Sequence, residues 1–354
     1  MHLFVDISSH GFGHLALTAP VLNALRAALP YLRLTLRTAL PAAKLRERIV
    51  GPYTHLPLAT DFGFRMIDAT RVDLPASAAA YQAAHADWPA RVEAEARFLA
   101  DLAPDHVLSN ISYLPLAGAA RAHIPASALC CLNWADLFEH FFGNAPWAAP
   151  IHEAMATAYR SARAFLQPAP AMAMPGMSNG RPIGPIARLG RRQPLPLAEG
   201  KRAILVALGG IAHRLPVERW PRRPGICWLV PEAWHCHHPD ALPLESLGLN
   251  FTDLLASCTA VITKPGYGTF TEAAANGIPV IYQRRDDWPE QDDLIPWLAA
   301  NGWCREISAA DLAAGHLADS LAALPATPLP ARPALTGVTE ACAYLVEVLQ
   351  GAKL

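Results

Sequence analysis

Two short apolar runs in this chain stop at glycine-bearing turns and hand over to helical patterns. HLFVDI (His2–Ile7) precedes SSHGFGHLALTAPVLNALRAAL, and AVIT (residues 260–263) precedes KPGYGTFTEAAANG. A run buried on both faces, then a turn and a helix, is the unit of a parallel sheet, because a parallel neighbour is reached only by a crossover. The alternation recurs. LRLTLR, DHVLS and ASALCCL are separated by patterns such as WPARVEAEARFLADLAP, and AILVALGG, ICWLV and IPVIY alternate with FTDLLASC and PEQDDLIPWLAANG. The pattern predicts an α/β fold with parallel sheets.

At 354 residues the chain is long enough for two cores of ordinary size. Residues 167–200, QPAPAMAMPGMSNGRPIGPIARLGRRQPLPLAEG, are too rich in proline and glycine to sustain a helix or a central strand, so they are expected to link two domains. The expected organisation is a first domain over 1–166, the linker, a second domain over 201–332, and a last helical segment within 333–354. ATPLPARPAL sets that segment off, and the pattern leaves it free to pack on either domain. No short internal repeat is present.

With 52% hydrophobic and 17% charged residues and a formal net charge of -1, the composition gives no field that would favour nucleic acid. No stretch reaches the roughly 18–20 apolar residues of a membrane span, and the N-terminus lacks a basic lead-in and a cleavage site. A cytoplasmic protein, monomer or homodimer, is expected. The seven cysteines are scattered and odd in number, which argues for free thiols and against a disulfide framework.

Candidate chemistry gathers at the glycine turns. In KPGYGTFTEAAANG, Phe270, Ala273, Ala274 and Gly277 form one apolar face, while Pro265 and Gly266 keep the strand from running straight into the helix and Gly268 clears a side chain where the helix begins. The N–H groups of about Gly268 to Thr271 are expected to be open to a phosphate. Lys264, just before the turn, suits a phosphate contact or a solvated surface equally. Glu272 has two readings: the end of a Thr269–Glu272 capping box, or an acceptor for both hydroxyls of a ribose. A GxxxxGK[ST] loop is absent.

The turn SSHGFGH places Gly11, Gly13, His10 and His14 at the carboxyl end of the first strand, where ligands of parallel sheets bind. His14 has the ordinary titration range for taking a proton from a hydroxyl. Gly209 and Gly210 follow a later strand and could bring backbone N–H groups to a diphosphate. In RRDDWPEQDD, Asp286, Asp287, Pro289 and Glu290 suit a plain helix start, and Glu290 and Gln291 equally suit sugar hydroxyls. The AWHCHHPD histidines are too close together to converge on a metal. Asn133–Trp147 reads mainly as buried aromatic helix, and Asn110-Ile-Ser112 matches a glycosylation acceptor without a secretion signal to give it meaning.

Taken together, HGFGHLALTAP, LVALGG and LNFTDLLASCTAVITKPGYGTFTEAAANGIPVIYQRRDDWPEQ resemble the GT-B nucleotide-sugar glycosyltransferases. KPGYGT followed by Arg285, Trp288 and Glu290 is similar to the transferase-like part of arabinokinase-type proteins, and more distantly to peptidoglycan N-acetylglucosaminyltransferase and the UDP-glycosyltransferases. The resemblance covers both halves. It implies two Rossmann-like domains facing across a cleft, the second holding a nucleoside-diphosphate sugar and the first an acceptor, with no metal or other cofactor. By position it puts Gly268 and Thr269 on diphosphate, Glu272 on ribose, Glu290 and Gln291 on the donor sugar, and His14 on the acceptor hydroxyl. GGIAHR stands where those transferases often carry a glycine–serine or threonine loop.

The implied reaction is an inverting displacement, with His14 or else Asp61, Asp73 or Asp136 as base. A nucleotide-sugar epimerase or hydrolase, and a non-catalytic nucleotide-sugar-binding module, are the alternative expectations.

Overall fold

The computed structural model describes residues 1–324 and 330–351. Part of the proline-rich stretch before the last helix, 325–329, lies outside the described residues. Two compact units are present: residues 1–67, 72–186 and 335–354 form the first, and residues 68–71 with 187–334 form the second.

The first unit is built on seven strands: β1 (His2–Ile7), β2 (Arg33–Arg37), β3 (Thr54–Leu56), β4 (His106–Asn110), β5 (Ala126–Leu129), β6 (Phe165–Pro168) and β7 (Gly180–Ile183). Their order across the sheet is β3-β2-β1-β4-β5-β6-β7, and every pairing is parallel. Leu3, Phe4, Val5, Val107, Leu108, Ala128, Leu129, Phe165 and Leu166 are wholly buried, as strands covered on both faces must be. The chain leaves β1, winds to β2 and β3, then returns to the other side of β1 as β4. That reversal beside β1 is the switch point of a Rossmann-like sheet.

Residues 167–200 do carry strands, against the sequence expectation. β6 extends to Pro168 and β7 spans Gly180–Ile183. β7 is the edge of the sheet, the place that tolerates Pro182. The last helix, Gly337–Gly351, joins this unit: Tyr344 Oη lies 2.8 Å from Ser127 Oγ, and Arg181 stacks on the Tyr344 ring.

One buried ion cluster ties a helix to this sheet. Arg37 on β2 donates to Asp6 on β1 at 2.6 Å and, through both terminal nitrogens, to Glu95 on the helix Trp88–Leu102. All three side chains are buried. Glu95 also sits against Gly118, where an added Cβ would lie 2.4 Å from Glu95 Cγ, so only glycine lets the helix Leu114–Arg121 approach this closely.

The second unit has six strands: β8 (Arg202–Val206), β9 (Ile226–Val230), β10 (Ala241–Pro243), β11 (Ala260–Thr263), β12 (Val280–Tyr282) and β13 (Cys304–Glu306). Their order is β10-β9-β8-β11-β12-β13, again all parallel, with the reversal between β8 and β11. Its core packs Ile204, Val206, Trp228, Ile262 and Ile281 with Trp220 and with Ala69, from the short 68–71 segment that the earlier part of the chain contributes. Among the described residues no helix is long and apolar enough to cross a membrane, and all seven cysteines are free.

The buried cluster generates a stability prediction. Arg37→Leu leaves two buried carboxylates without their cation and is expected to cost about 3–5 kcal/mol in denaturant unfolding. Replacement of the exposed Arg121, paired with Glu93 at the surface, is expected to change stability by less than about 1 kcal/mol.

Candidate functional site

At the switch point of the first unit the chain leaves β1 through Ser8–His10 and enters the helix Phe12–Ala28 with Gly11 as its N-cap. A Cβ built on Gly11 or Gly13 meets nothing within 4 Å, so open space fronts this turn. His14 lies in the first turn, buried, with Nδ1 2.9 Å from Asn110 Oδ1 at the end of β4. Asn110 Nδ2 donates to Thr18 Oγ1 at 2.8 Å, and the Thr18 hydroxyl gives its single proton to the His14 carbonyl. That chain fixes the amide's orientation and places the proton of neutral His14 on Nδ1. Nε2 is left as the basic nitrogen.

Burial opposes a charge on His14, but Cys130, Asp61 and Asn110 favour it, and the balance raises its pKa above the ordinary value. Cys130 Sγ stands 3.9 Å from Nδ1, farther than a good acceptor, while the amide oxygen is at bonding distance. Asp61 accepts from Ser8 Oγ at 3.0 Å and from the Trp134 indole N–H at 2.7 Å. Burial, with the nearby Asp6 carboxylate, pushes Asp61 up to about 6. The Trp134 ring meets His14 and His10 edge-on.

Asp136 begins the helix Trp134–Phe142, its backbone and carboxylate both engaged by the N-cap Asn133. Asp73 caps the helix Leu74–His85 through Ala76 N–H, which assigns it a structural task. The aromatic residues of this region pack on one another: Tyr81, Phe138, Phe142 and Trp147 make a chain of ring contacts, with Phe64 joining Trp134 to it.

In the second unit the helix over KPGYGTFTEAAANG spans Tyr267–Asn276, with Gly266 as N-cap and no side chain capping it. Its hydrogen-bond ladder begins at Phe270 N–H to Gly266 O, so the open donors are centred on Gly268 and Thr269 and exclude Phe270. Starting the helix at Tyr267 also removes the capping box, because Thr269 then sits inside the first turn. Glu272, two turns in, is buried among that helix's own buried residues. Gly277 ends the helix in the left-handed region, φ 69°.

Gly209 lies just beyond β8 at φ 90°, a conformation glycine adopts without strain, and Gly210 beside it is exposed. The Lys264 side chain passes between these loops. Its Cε would lie 3.9 Å from a Cβ on Gly209, its Nζ 3.2 Å from one on Gly266, and its Nζ donates to Pro265 O. Burial and the Arg285 charge push Lys264 down to about 7, against the pull of Glu290.

The sequence marked Arg285 only through the motif it shares with Trp288 and Glu290. Arg285 is 5% exposed between exposed neighbours, and its guanidinium lies flat on Trp288, 3.7 Å from the ring centre. Its Nε and Nη2 are buried with no hydrogen-bond partner. The backbone is clamped by Gln291, whose amide accepts from Arg285 N–H and donates to Arg285 O. Glu290 accepts from the Trp288 indole at 2.9 Å, and as the N-cap of Gln291–Asn301 it makes no capping bond. Burial holds Arg285 down at about 10, with Glu290 and Asp68 acting to raise it.

Asn110 and Cys130 entered the sequence analysis only as a sequon match and a thiol. Asn110 is wholly buried, which removes it as a glycan acceptor. Its position at the carboxyl end of the strand next to β1 was the available signal. The buried His238 bonds Trp220 O and Asp240 N–H through its two ring nitrogens, and no group of three or more His, Cys, Asp or Glu among the described residues is arranged to hold a metal.

Two Rossmann-like units of this topology define the GT-B class of fold. No family model matches the sequence, and no curated protein matches it. Among solved structures, the chain is similar to the glycosyltransferase of kitacinnamycin, with a TM-score of 0.63 and 16% identity over 99% of this chain and 95% of that one. A calicheamicin glycosyltransferase aligns with a TM-score of 0.57 and 16% identity, over 99% and 94%. UGT2 of Phytolacca americana, solved with UDP-2fluoro-glucose and pterostilbene, aligns with a TM-score of 0.55 and 14% identity, over 99% and 94%. At such identities the likeness carries the fold.

The raised Asp61 has a measurable consequence. A carboxyl titrating near 6 in the fold and near 3.8 unfolded holds its proton better in the native state. Its contribution is therefore fully present below about pH 4 and is lost as pH rises through about 6. Thermal unfolding of Asp61→Asn against the parent should show a gap that opens in the variant's favour across that window and stays level above it.

Proposed function

We propose that the chain is a glycosyltransferase that moves a sugar from a nucleoside-diphosphate sugar to an acceptor hydroxyl, with inversion and without a metal. One observation carries this reading. At the carboxyl edge of the second unit's sheet stand an uncapped helix start at Gly266, the Gly209 turn and, after β12, a buried guanidinium with two unpartnered nitrogens. Water-starved positive charge beside converging N–H groups suits a diphosphate.

In this reading Gly266, Gly268 and Thr269 present backbone to the diphosphate, with Gly209 and Gly210 as the second glycine turn. Glu272 accepts the ribose hydroxyls. Glu290 addresses the sugar, and Gln291 acts through the Arg285 backbone that its amide already holds. On the first unit, His14 Nε2 takes the proton of the acceptor hydroxyl, whose oxygen forms the new bond to the anomeric carbon. The bond from that carbon to the diphosphate breaks, and its electron pair leaves with the diphosphate. Asn110 keeps Nδ1 protonated so that Nε2 faces the reaction. Asp61 and Asp136 are the reserve bases, and Gly11 and Gly13 leave room for the acceptor. Free thiols suit a reducing compartment, and the cytoplasm is the proposed location.

The test is turnover of a panel of nucleotide sugars, with product analysis. Release of nucleotide and free sugar, slow without an acceptor and faster with one, is the expected result. An altered sugar still on its nucleotide would indicate an epimerase, and binding without turnover a non-catalytic module. His14→Ala is expected to lose about 10²–10⁴-fold in kcat. The acid limb of the parent's pH profile should lie above the ordinary histidine range, since His14 must be neutral to act. Asn110→Ala should lower kcat with little change in KM.

Glu272→Gln provides a separate check on the donor half. Glutamine matches the buried Glu272 in shape, so unfolding measured alongside separates a structural cost from a lost ligand contact. Nucleotide affinity should fall about 10-fold, the worth of one charge-assisted hydrogen bond.

A further inference from the structure

The loop from Arg285 to Gln291 closes on itself. Gln291 N–H donates to Trp288 O at 3.1 Å, which turns the chain over residues 288–291, and the Gln291 amide holds both backbone groups of Arg285. Arg285, Trp288, Glu290 and Gln291 are buried, while Arg284, Asp286 and Asp287 are exposed. Trp288, 2% exposed, stands at the centre and uses two parts of one ring system. Its face carries the Arg285 guanidinium, and its edge donates Nε1–H to Glu290 Oε2 at 2.9 Å.

A carboxylate at a helix start ordinarily turns back to accept from that helix's own N–H groups. Glu290, the N-cap of Gln291–Asn301, makes no such bond. The indole draws its carboxylate out instead. Phenylalanine would offer Arg285 an aromatic face as well, so stacking by itself does not call for an indole here. What tryptophan adds is a single donor, and that donor is given to a single carboxylate.

We propose, resting on the donor-sugar role given to Glu290 above, that Trp288 is a positioning residue. Its N–H fixes the Glu290 carboxylate in the orientation that meets the hydroxyls of the donor sugar, so recognition of the sugar depends on the indole while recognition of the nucleotide does not. The physical reason is directional: each sugar hydroxyl donates its one proton along one line, and a carboxylate that rotates, or folds back as a helix cap, meets that line only part of the time. A charge-assisted bond from a buried donor holds it there. Pro289, between the two residues, has its φ held by its ring, so the spacing of indole and carboxylate is set by backbone of little freedom.

Calorimetric titration of the full chain with UDP, dTDP and GDP, and with their hexose conjugates, tests this. Trp288→Phe should weaken the conjugates by about 10-fold, the worth of one hydrogen bond to a charged group, and change the bare diphosphates by less than about 2-fold. In a Glu290→Ala background the same substitution should add nothing, because the group it positions is gone. Equal weakening of diphosphates and conjugates would mean that the loop has only loosened, and it would overturn the proposal, as would an additive loss in the double variant. A second measurement leaves Trp288 in place. In a nitrogen-edited spectrum, the indole N–H signal that Glu290→Ala displaces should move further with a conjugate than with its bare diphosphate, and an equal response to both would overturn the proposal. Binding of diphosphates but of no conjugate would overturn it too and leave the nucleotide site standing. Failure of every diphosphate and conjugate to bind would overturn the proposed function itself.

Discussion

A parallel sheet covered on both faces exposes function at one place only, the point where the winding changes direction. Helices that follow strands on one side of β1 and on the other side of it, or on the two sides of β8, leave the carboxyl ends of β1, β4, β8 and β11 uncovered. Several of the candidate groups sit at or just beyond the ends of those strands or of an immediate neighbour. The His14 turn follows β1, Asn110 ends β4, Gly209 follows β8, and Lys264 follows β11, with Arg285 on the loop after β12. The sheet holds these groups still, because its strands are buried along their length. The loops supply their variety.

The two units spend polar burial in different ways. In the first, the buried polar groups around His14 and Arg37 are satisfied. Asn110, Thr18 and His14 close a small hydrogen-bonded circuit that leaves one imidazole nitrogen over, and Arg37 consumes both Asp6 and Glu95. In the second, the account is left open: Arg285 is desolvated without full compensation, and Lys264 feels the Arg285 charge. An unsatisfied buried guanidinium costs stability, and in the proposed function a ligand completes its bonding. Proposed general base and proposed anion cradle are thus distinguished by whether the protein or the ligand completes the bonding.

The short segment 68–71 adds a detail with consequences for how the second unit is assembled. Ala69 is wholly buried in that unit's core, Thr70 O accepts from Asp286 N–H, and Asp68 contributes its charge beside Arg285. The loop that carries Arg285 is therefore braced by chain from a distant part of the sequence. Gln291 braces it from the other direction through the Arg285 backbone.

The sequence by itself determined the alternation of strands and helices, the parallel sheets, and the turns where chemistry gathers, because apolar period and glycine placement act over a few residues. His14, Lys264, Gly268 and Glu272 could be named as candidates for that reason. Strands β6 and β7 were not, since their prolines are tolerated only by the sheet that receives them. Nor was the helix start at Tyr267, which dissolved the capping box read from Thr269 and Glu272. Only the tertiary structure made Asn110 the partner of His14, 96 positions away, and buried two Arg285 nitrogens without a hydrogen-bond partner. Burial and hydrogen-bond satisfaction depend on what the fold brings within about 3 Å, and separation along the chain says nothing about that distance.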